Sequence, residues 1–98
     1  MVKNRFLMFT KDSCGPCGLV KRYIYALNDP RIATIEEIQL EDFSDEPIPE
    51  ENLEIAKKYG VTATPVLVVT DSEGKELVKY IGGMEITQNI RNAWNEYV

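Results

Sequence analysis

Apolar positions recur along the chain with two periods, one near 2 and one near 3.6, and the places where the period changes mark the elements. Arg5 to Thr10 contains the run Phe6-Leu7-Met8-Phe9 and predicts a short buried strand. Lys11-Asp12-Ser13-Cys14-Gly15-Pro16 has turn and capping residues, and Pro16 suits the first turn of a helix, where its missing N–H costs nothing. Cys17, Val20, Ile24 and Leu27 then share one helical face, with Leu19, Tyr23 and Ala26 expected to widen it; Asn28-Asp29-Pro30 ends the helix. Ile35 to Leu40 predicts a second strand with Ile38 and Leu40 on one side, followed by an acidic connection from Glu41 to Pro47. Pro49 to Tyr59 predicts a second helix, closed by Gly60. Pro65-Val66-Leu67-Val68-Val69-Thr70 is the clearest strand, Asp71-Ser72-Glu73-Gly74 a hairpin turn, and Glu76 to Ile81 the returning strand. Gly82-Gly83 breaks that strand, and a last helix carries Ile86, Ile90, Ala93, Trp94 and Tyr97 on a core-facing side.

The order β-α-β-α-β-β-α predicts an α/β fold. The first unit is a right-handed parallel crossover, the last two strands form an antiparallel hairpin, and one four-stranded mixed sheet carries helices on both faces. With 98 residues the chain is expected to be a single domain over 1–98 with one modest core. No apolar run approaches the roughly 20 residues of a membrane helix. The start of the chain lacks the apolar core and small-residue cleavage site of a secretory signal, so a cytoplasmic protein with no membrane partner is expected.

Net charge is −5, which disfavours a nucleic-acid partner because phosphate rewards a basic face. The charge is uneven. Residues 32–56 hold nine acids and no Lys or Arg, whereas residues 1–31 hold six bases and two acids. The acidic stretch, centred on 36–54, reads either as a solvated surface or as a patch that selects a partner.

The candidate chemistry lies in the two cysteines. With no histidine in the chain, a Cys–His nucleophile is excluded. Cys14-Gly15-Pro16-Cys17 falls between a buried strand and a helix start, a spacing that lets both sulfurs approach to bonding distance. The helix N-terminus, with Lys11 nearby, favours a thiolate at Cys14, while Cys17 faces the core, where burial raises a thiol pKa. One exposed attacking thiol and one shielded resolving thiol result. A structural disulfide would close a very short loop and constrain little of the unfolded chain. Half of a metal site shared between two chains is made tight by Pro16.

The strand, the Cys14-Gly15-Pro16-Cys17 run and the helix after it resemble the thioredoxin family. Tyr59-Gly60-Val61-Thr62-Ala63-Thr64-Pro65-Val66-Leu67 is similar to the family's segment before and through its cis-proline strand, and Gly74-Lys75 and Gly82 match in spacing. The resemblance spans nearly the whole chain. It implies a thioredoxin-like fold, Cys14 as nucleophile, Cys17 as resolving thiol and a cis Thr64–Pro65 bond. The backbone of Thr64 would pair with an extended client strand, for which Gly82 leaves room. The client-binding surface would comprise Ser13, Gly15, Pro16, Thr64, Pro65, Gly82 and Gly83. It implies further a monomer with no bound cofactor or metal, a redox-active Cys14–Cys17 disulfide, and reducing equivalents passed from NADPH by a flavin-dependent thioredoxin reductase. Disulfide-containing client proteins follow, with ribonucleotide reductase among the natural ones.

The departures are specific. Ser13 stands where family members commonly have Trp, Gly18 where Lys is frequent, and the sequence starts at the strand leading to the cysteines, where a full-length thioredoxin has an extra strand and helix before it. The family's buried acid is replaced by Met8, and its basic partner on the neighbouring strand has Glu37 as nearest match. Asp12 is the acid closest to the cysteines in sequence and is expected to be solvated, with helix capping or no role favoured over proton transfer. Gly82-Gly83-Met84-Glu85 looks more like glutaredoxin, where a Gly-Gly pair followed by an acid helps hold glutathione. The compact whole is similar to thioredoxin/glutaredoxin hybrids of phages, which would place it in a host cytoplasm. A rival of another class is a stoichiometric structural subunit that does not use its thiols.

Overall fold

The computed structural model describes residues 3–41 and 47–98. The elements run β1 (Arg5–Thr10), α1 (Gly15–Ala26), a 3₁₀ turn (Pro30–Thr34), β2 (Ile35–Gln39), α2 (Glu50–Lys58), β3 (Val66–Thr70), β4 (Glu76–Ile81) and α3 (Gly83–Tyr97). The sheet order is β2-β1-β3-β4. β1 and β2 are parallel, joined across α1, and β1–β3 and β3–β4 are antiparallel.

Strand alternation divides the core into two layers. Phe6 and Met8 of β1, with Leu67 and Val69 of β3, face α1 and α3 and pack with Val20, Ile24, Ile86, Ile90, Ala93 and Trp94. Leu7, Phe9, Val66 and Val68 face α2, Ile38 and Tyr59. Helices cover both faces, so the two central strands are buried on both sides. This explains why β3 reads as an unbroken apolar run and not as an alternating one. The edge strand β4 keeps Leu77 and Ile81 exposed. Among the described residues no helix is long and apolar enough to cross a membrane.

One expectation needs correction and one is extended. Leu19, Tyr23 and Ala26 do not widen the buried face of α1. All three are exposed, and only Cys17, Val20 and Ile24 are buried on this helix. Among the described residues the core contact of α1 is therefore one narrow stripe. Pro30, expected only as a stop, also opens the 3₁₀ turn. The Asp29 carboxylate caps that turn by accepting from the Arg31 amide at 2.9 Å, and Pro30 has no N–H that needs a partner. The acidic connection was drawn over Glu41 to Pro47; residues 42–46 of it lie outside the described residues.

Candidate redox site

β1 ends inside the sheet and delivers the chain to its edge at Lys11. The Cys14 amide donates to Lys11 O at 3.2 Å, closing a turn, and Cys14 becomes the N-cap of α1 in extended conformation. Its Sγ accepts the Cys17 N–H at 3.1 Å. A helix N-terminus leaves its first N–H groups unpaired, and here a sulfur takes the place of the usual capping oxygen. Gly15 and Pro16 form the exposed start of the helix, and its first turn contains no acid to oppose the positive end. Cys17 sits on the inner side, 2% exposed. The two are joined as a disulfide with Cα atoms 5.3 Å apart, inside the ordinary range for such bridges.

Asp12 is not the cap. It is exposed, and its carboxylate accepts from Gln39 Nε2. Gln39 Nε2 also donates to Glu41 O at 3.0 Å, the Asp12 amide donates to Glu41 O at 3.2 Å, and the Ser13 amide donates to Glu41 Oε1 at 3.0 Å. Gln39 and Glu41 therefore hold the cysteine loop from the end of β2. Neither was singled out from sequence. Their only signal is position, since parallel neighbours end side by side.

The other expected site residues come to the same end of the sheet through two contacts. Gly83, the first residue of α3, abuts α1: a Cβ there would lie 3.0 Å from Val20 Cγ2 and 3.8 Å from Pro16 Cβ. Gly82 donates its N–H to Pro65 O at 2.9 Å. Gly82 has φ +91°, a conformation that disfavours a side chain, and its would-be Cβ meets nothing within 4 Å. The Thr64–Pro65 peptide is cis, with Pro65 buried and Thr64 partly so. Pro16 is thus brought to Gly83, and Gly82 to Pro65, at the end of α1 where Cys14 lies partly exposed.

Met8 is 2% exposed on the α1 side of the sheet. Glu37 lies opposite it in register and is exposed, ion-paired to Lys21 and accepting from Thr10 Oγ1 at 3.0 Å. Glu36 binds Arg5 with two hydrogen bonds, and this guanidinium holds its carboxyl below the ordinary value. Glu36, Glu37 and Glu41 are thus engaged with neighbouring elements and do not form a free acidic patch.

A thioredoxin-like domain model matches residues 2–97. The SPbeta prophage-derived thioredoxin-like protein YosR of Bacillus subtilis (strain 168) is 28% identical over 80 residues, which covers 80% of this chain and 81% of that protein. Thioredoxin of Fasciola hepatica superposes with a TM-score of 0.67 at 27% identity, covering 98% of this chain and 82% of the other. The germline-specific thioredoxin Deadhead of Drosophila melanogaster gives 0.69 at 19% identity over the same shares, a likeness of fold alone. A cysteine pair at bonding distance on this fold is the equipment of a thiol–disulfide oxidoreductase. The match runs almost from end to end, and on it the chain belongs to the family of thioredoxin-like domains.

Proposed function

We propose that the protein is a protein-disulfide reductase. The observation that carries this reading is the inequality of the two sulfurs: Cys14 caps a helix and accepts the Cys17 N–H, and Cys17 is buried one turn in. In the reduced protein the Cys14 thiolate attacks one sulfur of a client disulfide. A Cys14–client bond forms and the other client sulfur leaves as a thiolate. The Cys17 thiolate then attacks the Cys14 sulfur, which restores the Cys14–Cys17 disulfide and expels the second client thiolate. Solvent protons neutralise both products. Two electrons from NADPH, delivered by a flavin-dependent thioredoxin reductase, reduce the disulfide for the next cycle. Ser13, Gly15, Pro16, Thr64, Pro65, Gly82 and Gly83 form the surface over which an extended client segment lies. Clients are proteins with accessible disulfides, ribonucleotide reductase being one the family resemblance implies. The reading places a monomer in a cytoplasm, that of a host cell if the source is viral.

A second reading has one observation in its favour. Gly82-Gly83 leads into α3, whose N-terminus suits a carboxylate and whose first turn carries Glu85, as a glutathione-dependent protein would have. Offering the oxidised protein NADPH with thioredoxin reductase, and separately glutathione with glutathione reductase, separates the two. Faster recharging by thioredoxin reductase is expected. Recharging by glutathione at an equal or greater rate overturns the thioredoxin reading. If a partner assembly keeps its function with serine at both cysteines, the role is structural.

A further inference from the structure

An apolar groove of about 530 Å³ runs away from the disulfide between α1 and α3. Pro16 and Gly83 form its head, Leu19 and Tyr23 one wall, Met84 and Thr87 the other. Leu19 is 62% exposed, Tyr23 42% and Met84 75%, so three large apolar side chains stand in solvent along this groove. Core packing does not account for them. The buried stripe of α1 is Cys17, Val20 and Ile24, on the adjoining face of the helix, and of these Val20 alone lines the groove.

Glycine at 83 keeps the head of the groove open, because any Cβ would press on Val20 and approach Pro16. Leu19, Arg22 and Tyr23 lie three and four residues apart and share one helical stripe. Arg22 is exposed and has no ion-pair partner among the described residues, and α1 contains no acid. Glu85, in the first turn of the opposite helix, is exposed and is not among the residues that line the groove. The groove is therefore apolar along its length and positive on its α1 rim.

Its size decides between occupants. A stable homodimer buries on the order of 800 Å² per partner from about 20–30 residues, which seven lining residues do not approach. A single side chain of a transient partner fits. From Pro16 to Tyr23 is seven helical residues, about 10 Å, a distance that an extended chain crosses in about three residues. We propose that the groove seats a bulky apolar side chain of the client polypeptide, about three residues from its disulfide cysteine, with an acidic neighbour facing Arg22. The inference rests on the reductase reading and names the class of client: extended segments bearing an apolar residue and an acid near the cysteine.

The test uses the reduced protein and a set of extended peptides, each joined through one cysteine to 2-mercaptoethanol. Two carry Leu three residues before or after the cysteine, and their partners carry Ser there. Rapid-quench rate constants are expected to favour one Leu peptide over its Ser partner by roughly tenfold. In the double variant Leu19→Ser/Met84→Ser the ratio falls to near one. Arg22→Glu is expected to invert a preference for Glu over Lys next to the Leu. A ratio near one in the wild type, or a ratio that survives the double substitution, overturns the proposal. So does a dimer in sedimentation that the double variant dissolves, since the groove would then hold a second copy. Bis(2-hydroxyethyl) disulfide makes no use of the groove. Failure of the wild type to reduce it overturns the reductase reading itself, and the client groove with it.

Discussion

Three positions separate Cys14 from Cys17, and the helix that starts between them makes their sulfurs unequal. Cys14 ends an extended segment, is partly exposed and points its sulfur at a free helical N–H. Cys17 belongs to the buried stripe. Cys14→Ser is therefore expected to abolish attack on any disulfide. Cys17→Ser is expected to attack and then remain bound to its client, because no second thiol resolves the bond. Intact-mass measurement after mixing each variant with an oxidised substrate reads this directly: an adduct on Cys17→Ser alone is expected, and an adduct on Cys14→Ser instead would reverse the roles. The pair and its asymmetry were legible from residue types and a helix start. The residues that hold the loop were not. Asp12 is near in sequence but turns toward Gln39, whereas Glu41, 27 positions after Cys14, takes the Ser13 amide. A hydrogen bond across parallel strands has no local signature, because the register that creates it belongs to the sheet.

At the scale of elements, the 3₁₀ turn between α1 and β2 is a small electrostatic unit that the periodicity did not reveal. Asp29 caps the turn and binds the Arg31 guanidinium, which lies 5.2 Å from the Trp94 ring centroid and donates to Asn95 Oδ1 at 2.7 Å. The turn is thereby tied to the end of α3. Hydrogen bonds from the Arg31 side chain and backbone hold the Asp29 carboxyl at about 2, below its ordinary 3.8. A depressed pKa in the folded state means stability that is fully present above the unfolded value and is lost as pH falls through the folded one. Asp29→Asn can still cap but carries no charge. Urea midpoints of the two proteins should differ by a constant amount near neutral pH, and the difference should close between about pH 4 and pH 2, where the wild-type carboxyl takes up its proton. A gap that persists unchanged to the lowest pH would remove the carboxylate from the account.

For the whole molecule, the sheet is shared by two apolar layers, so a defect in either layer weakens the same two central strands. Ile90 is fully buried in the α1/α3 layer. Ile90→Ala is expected to cost about 2–5 kcal/mol by loss of apolar contact and by the cavity left behind. In urea the midpoint should fall while the slope stays the same, and far-ultraviolet dichroism and Trp94 fluorescence should move together. A second, separate transition would show that the layers unfold independently. Pro16, Gly83, Gly82 and Pro65 gather at one end of this sheet because β1 leaves it where β3 enters, with Val66 opposite Phe9 in register.

The order of elements, the buried run of β3, the hairpin turn, the stripe of α3 and the reactive cysteine pair were all readable along the chain. Each depends on residues within one element, whose spacing records which side is buried. The tertiary structure alone decided the rest. It determined which flank of α1 stays in solvent, since Leu19 and Tyr23 have the right spacing for a core and are nevertheless exposed. It determined that Glu36, Glu37 and Glu41 are engaged and not a free acidic surface. It also brought Gly83 against Pro16 and Gly82 against Pro65, across 67 and 17 positions of sequence. These outcomes depend on how many elements there are to cover a given face and on the register of strands far apart in the chain. No local pattern of residues encodes either quantity.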